Sequence, residues 1–230
     1  MGIGYVQLYK LPATKVATLT DNDTSAPAAG AYTTINYNRT LLAGLNTLVL
    51  PFATTKEELG ADLVLEYKGS EQADGKTVLR FTAVESLEAN KPYAIMMESQ
   101  KALTSFENKT VTEPTDLTVA GDEYSFVGTF TAYTAKTSPI VEGDYIAVDN
   151  NFKRAKGGNV IKAYRGYLKK VGDSNSEVAF NFDGEYVDGI TAAKMMESLG
   201  EEAIYNLNGQ RVNTLQKGVY IVNGKKIVVK

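Results

Sequence analysis

The sequence predicts an all-β fold: an antiparallel β-sandwich of jelly-roll or Greek-key type, followed by a small C-terminal β-meander. Three observations predict it. Short runs rich in β-branched and aromatic residues recur along the whole chain. Turn residues separate these runs roughly every ten positions, the spacing of a sandwich or barrel. The chain also holds 14 tyrosines in 230 residues, and tyrosine suits half-buried pleated surfaces.

The strand-like runs fall at residues 5–8, 32–37, 47–50, 63–67, 77–83 and 92–97, then at 117–119, 125–130, 145–148, 159–163, 164–169 and 177–182. Lys68-Gly69, Ala73-Asp74-Gly75, Glu142-Gly143-Asp144 and Gly157-Gly158 punctuate them. In the 92–97 run, alternation should turn one of Met96 and Met97 into the core. Two stretches read as helical. Thr55 and Glu58 have the spacing of a capping box, and Gly60 is a natural stop. Residues 191–199, stopped by Gly200, read as a second helix or an extended linker. Residues 11–31 are small, polar and rich in Ala and Pro, and read as a loop or wrapped segment without a core of its own. The chain thus divides into an N-terminal strand and polar loop (1–31), the sandwich (32–190), and a linker with the meander (191–230).

The meander rests on two Asn-Gly pairs, Asn208-Gly209 and Asn223-Gly224, each between apolar runs. Asn-Gly favours the two-residue turn that matches strand twist, so hairpins are expected over 203–212 and 219–229. A sheet of three or four such strands is marginal alone and needs something to pack on. Residues 219–222 and 227–229 are apolar at successive positions, which suggests burial on both faces or a partner on one.

Charge and composition narrow the function. The net charge is −3, yet residues 203–230 contain Arg211, Lys217, Lys225, Lys226 and Lys230 with no carboxylate, so the tail carries +5 and the rest −8. A solvated strand face accounts for this, as does an acidic partner. With pI ≈ 5.2, nucleic acid is not an expected partner. No apolar run approaches the ~18 residues of a spanning helix. Met1-Gly2-Ile3-Gly4 lacks the basic and apolar regions of a signal peptide, so an exported protein would be represented by its mature part.

The chain has no Cys, His or Trp. That excludes disulfides, thiolate nucleophiles, Ser-His-Asp arrangements and zinc sites of the Cys or His type. Residues 21–24, "DNDT", have part of the spacing of a calcium loop but lack its glycine and distal glutamate, and no metal is expected. No phosphate-binding glycine loop or nucleophile elbow occurs. Glu85, Glu88, Asp144, Asp183 and Glu185 flank strand ends, but spacing singles out no acid/base pair, so neither a cofactor nor an enzymatic activity is expected. The most polar-aromatic stretches, "AVDNNFKRA" and "AYRGYL", nominate Tyr145, Asn150, Asn151, Tyr164, Arg165 and Tyr167 as ligand contacts, against the plainer reading that these tyrosines cover the core.

One stretch carries a resemblance. "NRTLLAGLNTLVLPF" (38–52) is similar to a segment of secreted and surface proteins of gut and oral Bacteroidetes. The "EELGA" stretch at 57–61, the "NKPY" turn within 87–95, the Phe126-x-Gly-Thr strand and the "YRGY" strand at 164–167 extend it over residues 35–182. A Trp and a Cys usual in that family are Leu45 and Val49 here, so any role of the Trp does not carry over. "IYNLNGQRV" and "KGVYIVNGKKIVVK" resemble the C-terminal segment of such exported proteins and the end of the type IX secretion sorting domain, although this tail is shorter. The resemblance implies a non-enzymatic extracellular or cell-surface module, adhesive toward a host protein or glycan, with leucine-rich repeats or other adhesive domains often upstream. It implies docking or sorting by secretion or anchoring machinery through Tyr205, Asn208, Gly209, Gly218, Tyr220, Asn223, Gly224 and Lys230. A carbohydrate-binding module serving glycan utilisation is the alternative expectation.

Overall fold

The computed structural model describes residues 14–182, 185–187, 204–206, 218–222 and 225–229. In chain order, the first strands are β1 (Val16–Leu19), β2 (Gly30–Leu41), β3 (Gly44–Leu48) and β4 (Thr54–Thr55). The short helix α1 (Lys56–Leu59) precedes β5 (Leu63–Ala73), β6 (Lys76–Ala83), β7 (Ser86–Leu87), β8 (Tyr93–Met97) and β9 (Lys101–Val111). Then come β10 (Thr118–Val119), β11 (Tyr124–Thr129), β12 (Glu142–Val148), β13 (Asn151–Lys156), β14 (Arg165–Lys170), β15 (Glu177–Phe182) and β16 (Glu185–Val187). The tail contributes β17 (Ile204–Asn206), β18 (Gly218–Val222) and β19 (Lys225–Val229).

The fold is all-β, with several mainly antiparallel sheets packed face to face. A six-stranded sheet in the order β16-β15-β6-β5-β8-β3 lies between a three-stranded sheet, β1-β2-β9, and a five-stranded sheet, β10-β11-β14-β12-β13. Alternation along β8 produces the layering. Tyr93, Ile95 and Met97 enter the core shared with β1, β2 and β9, whereas Ala94 and Met96 enter the core shared with β11, β13 and β14. Both methionines are therefore buried, one on each face, where a two-layer sandwich would bury one. Two pairings are parallel: β1 with β2, and β15 with β6.

Several elements differ from the sequence expectation, each for a physical reason. Residues 159–163 form no strand; only Ile161 bridges to Tyr133. The 11-residue β9 escapes notice because its buried Leu103, Phe106 and Val111 do not follow a period of two. In β13 only Phe152 and Ala155 are buried, three positions apart. The segment expected as a loop contains β1, whose Leu19 is fully buried on the core.

The first helix is present as its capping box requires. The Thr55 side chain accepts from Glu58 N, the Glu58 carboxylate accepts from Thr55 N, and Gly60 closes the turn at φ 60°. Glu58 is also held by Thr54 and by Lys109 on β9, so the cap ties the helix to a neighbouring sheet. In the tail, β18 pairs antiparallel with β19, Val222 opposite Lys225, as a hairpin across Asn223-Gly224 demands. β17 pairs with β18 on its other side, giving a three-stranded meander. The second helix expected over 191–199 and the turn at Asn208-Gly209 lie outside the described residues.

Candidate functional site

A cleft of about 540 Å³ opens between the end of β2, β3 and the β12–β13 turn. A smaller one of about 270 Å³ adjoins it, sharing Thr47, Ala147, Val148 and Arg165. Local sequence explains the walls. Asp149 and Asn150 both have positive φ, 49° and 62°, the backbone of a two-residue hairpin turn, and Val148 pairs with Asn151 across it. The Asn150 side chain lies directly over Gly44, where any Cβ would collide with it; Gly44 also has φ +91°. On the opposite wall, Asn46 accepts from Leu42 N and donates to the carbonyls of Leu42 and Gly44, completing the turn between β2 and β3. Thr47 Oγ both donates to Gly166 O, at 2.9 Å, and accepts from Gly166 N, stapling β3 to β14.

Two guanidinium groups line the cleft. Arg165 donates to Asp21 at 2.8 Å, to the Tyr37 hydroxyl at 2.9 Å and to Ala163 O at 3.0 Å. Lys162 binds the other Asp21 oxygen at 2.9 Å. Burial by itself would raise the Asp21 pKa, but the bonds and charges of Lys162 and Arg165 outweigh it and hold the carboxyl below the usual aspartate range. Arg39 is only 6% exposed. It donates to Thr47 O at 2.9 Å and more loosely to Tyr164 O at 3.4 Å, and its Nε finds no acceptor. Burial, assisted by the neighbouring Arg165 charge, lowers its pKa to about 10, against the opposing influence of Tyr37 and Asp21. Arg39 therefore remains a cation at neutral pH.

The structure gathers some of the nominated contacts and separates the rest. Asn150 and Arg165 face the same cleft. Asn151 is half-buried at the start of β13, with its Oδ1 unpartnered. Tyr164 is a correction: it is fully buried at the end of a turn and does not begin a strand. Its φ of 59° is unusual for a side chain of this size, and it is held there from every side. Its hydroxyl donates to Asp23 at 2.7 Å, its N–H donates to Thr129 O, and its ring packs against Tyr37 and Phe130. Burial and the Asp23 carboxylate push its pKa far up.

Tyr167 is a second correction. It is buried against Ile140, Ala155 and Ile161, and burial raises its pKa to about 12. Tyr145 is half-buried, edge-on to Tyr124 and Phe180. Within residues 14–182 all eight phenylalanines are buried and no tyrosine is exposed, so these rings offer no open platform for stacking a sugar. Most of them lie in the cores between the sheets, mixed with aliphatic side chains.

The carboxylates also have structural duties. Asp21 and Asp23 of the "DNDT" stretch bind cations and hydroxyls of the chain itself. Glu85 pairs with Lys56 and Glu88 with Lys91. Asp144 is fully buried and accepts from Val141 N and Lys170 N, both at 2.9 Å. Asp183 and the side chain of Glu185 lie outside the described residues. In the tail, Tyr205 and Tyr220 sit on β17 and β18 and Gly218 opens β18, opposite Val229. Asn208, Gly209, Asn223, Gly224 and Lys230 are not among the described residues.

Sequence reasoning did not nominate Arg39, Asn46 or Thr47 for the cleft, although all three lie in the 38–52 segment. The available signal was the Asn46-Thr47 pair inside the apolar run 41–52, with Arg39 in the polar start just before it. Among the described residues, no helix is long and apolar enough to cross a membrane, and no group of three acidic side chains is arranged to hold a metal ion. No protein-family profile, curated protein or solved structure matches the chain.

Proposed function

We propose that this chain is a non-catalytic binding module of an exported, surface-associated protein of the Bacteroidetes kind its sequence resembles, acting in adhesion to a host protein or glycan. The observation that supports this most is the make-up of the cleft. It is lined by guanidinium, amide and hydroxyl groups and contains no pair of free carboxylates. Its one carboxylate among the described residues, Asp149, is paired with Lys153 at 2.6 Å. Such a lining can recognise a ligand by hydrogen bonds and charge but supplies no general acid and base. The C-terminal strands would serve as the docking or sorting element.

The purified protein should bind mucin or an extracellular-matrix protein in a solid-phase screen that includes a glycan array. Binding confined to defined oligosaccharides would replace adhesion with the carbohydrate-binding reading. Deleting residues 203–230 separates the roles of the tail: unchanged thermal stability with lost surface display is the outcome expected of a signal. A large fall in stability would instead make the tail part of the fold.

A further inference from the structure

We infer that the two adjoining clefts form one docking groove for an acidic, aliphatic peptide segment of a partner protein, with Arg39 and Arg165 facing its carboxylates. This rests on the adhesive reading and specifies its ligand chemistry. The first support is charge. Asp21 is shared between two cations, Lys162 and Arg165, and is the one carboxylate bonded to either among the described residues. Arg39 is more than nine-tenths buried and, among the described residues, pairs with no carboxylate and keeps an N–H without an acceptor. A desolvated cation so under-compensated gains from an anion brought alongside, and guanidinium is the group best suited to carboxylates.

The second support is the rim. Leu42 is 60% exposed, Val160 66% and Val148 38%, and all three border the clefts. These are half of the exposed large apolar residues among those described. An aliphatic rim with no aromatic face suits peptide side chains rather than sugar rings, which favour stacking on aromatics. Val160 and Leu42 would hold the apolar side chains that flank the acidic residue.

Random heptapeptide arrays probed with the labelled protein test this. Bound peptides should be enriched in Asp and Glu beside Val, Leu or Ile, and replacing those acids by their amides should weaken binding about tenfold. Val160→Asp places a like charge on the exposed rim without touching the core, and should reduce binding roughly fivefold or more. Arg39→Gln should do the same, with circular dichroism and thermal unfolding reporting separately on its fold. No enrichment, enrichment in basic peptides, equal binding of the amide peptides, or an unaffected Val160→Asp would each overturn the inference. So would binding only to uronic-acid oligosaccharides offered in parallel. Mucin or matrix binding that survives Val160→Asp would overturn the groove and leave the adhesive reading standing.

Discussion

Two regions hold the layers of this protein together by different means. Between the central and five-stranded sheets, phenylalanines pack ring on ring: Phe81 touches Tyr67, Phe126, Phe152 and Phe182, and Phe152 stacks on Phe180 at 5.4 Å. At the cleft, Asp21, Tyr37, Lys162 and Arg165 are tied by directional bonds between residues more than 120 positions apart. The aromatic wall stabilises through area, which is additive and forgiving of shape. The polar node stabilises through matched charge, and each member depends on the others being in place. Beside the node lies Arg39, a buried cation bonded only to carbonyls among the described residues, and this difference from the aromatic wall is what motivates the groove proposed there.

The largest test of this contrast is Phe81→Ala. It removes a ring with four aromatic neighbours and should cost about 4 kcal/mol in urea unfolding. A loss below about 1 kcal/mol would show that the wall can collapse around the cavity. Asp21→Ala should come next, at about 2 kcal/mol, because it leaves the half-buried Arg165 without its carboxylate while the exposed Lys162 stays solvated. A double-mutant cycle with Arg165→Ala should show coupling of about 1–2 kcal/mol, and additivity there would dissolve the node into independent contacts.

Conservative exchanges sharpen the comparison further. Arg165→Lys keeps the charge but loses the fork that reaches Asp21, Tyr37 and Ala163 together, and should cost about 1–2 kcal/mol. Phe152→Leu keeps most of the apolar volume and should cost about 1 kcal/mol. Equal costs would erase the distinction between area and geometry. The smallest effect is the pH dependence of Asp21. Its folded pKa lies below the unfolded value, so its stabilisation is complete above the unfolded aspartate range, about pH 4, and is lost as pH falls through the folded value. The stability gap between wild type and Asp21→Asn should therefore shrink below about pH 4. A gap that stays constant to pH 2 would separate the node's stability from the charge of Asp21.

How much was legible follows the same division. Strands such as β5, β6, β8 and β15 were readable because apolar residues bunch or alternate along them. The helix was readable because a capping box and its glycine stop lie within six residues. β9 and β13 were obscured because each buries only scattered positions. The cleft was half legible. Asn150 and Arg165 stood out as polar residues among aromatics, but the burial of Tyr164 and Tyr167 depends on strands far away in the chain. Nothing near Arg39 in sequence says that Tyr164 and Thr47 carbonyls will receive it.

The sequence by itself determined that the protein is β-rich, that it lacks the side chains of thiol and histidine chemistry, and where its tightest turns fall. These follow from residue type and local spacing. The tertiary structure alone decided that there are three layers rather than two, that β1 pairs in parallel with β2 and β15 with β6, and that Asp21 bonds both Lys162 and Arg165 across the chain. Those depend on which distant segments meet, and meeting is governed by the burial of whole faces, which no local pattern specifies.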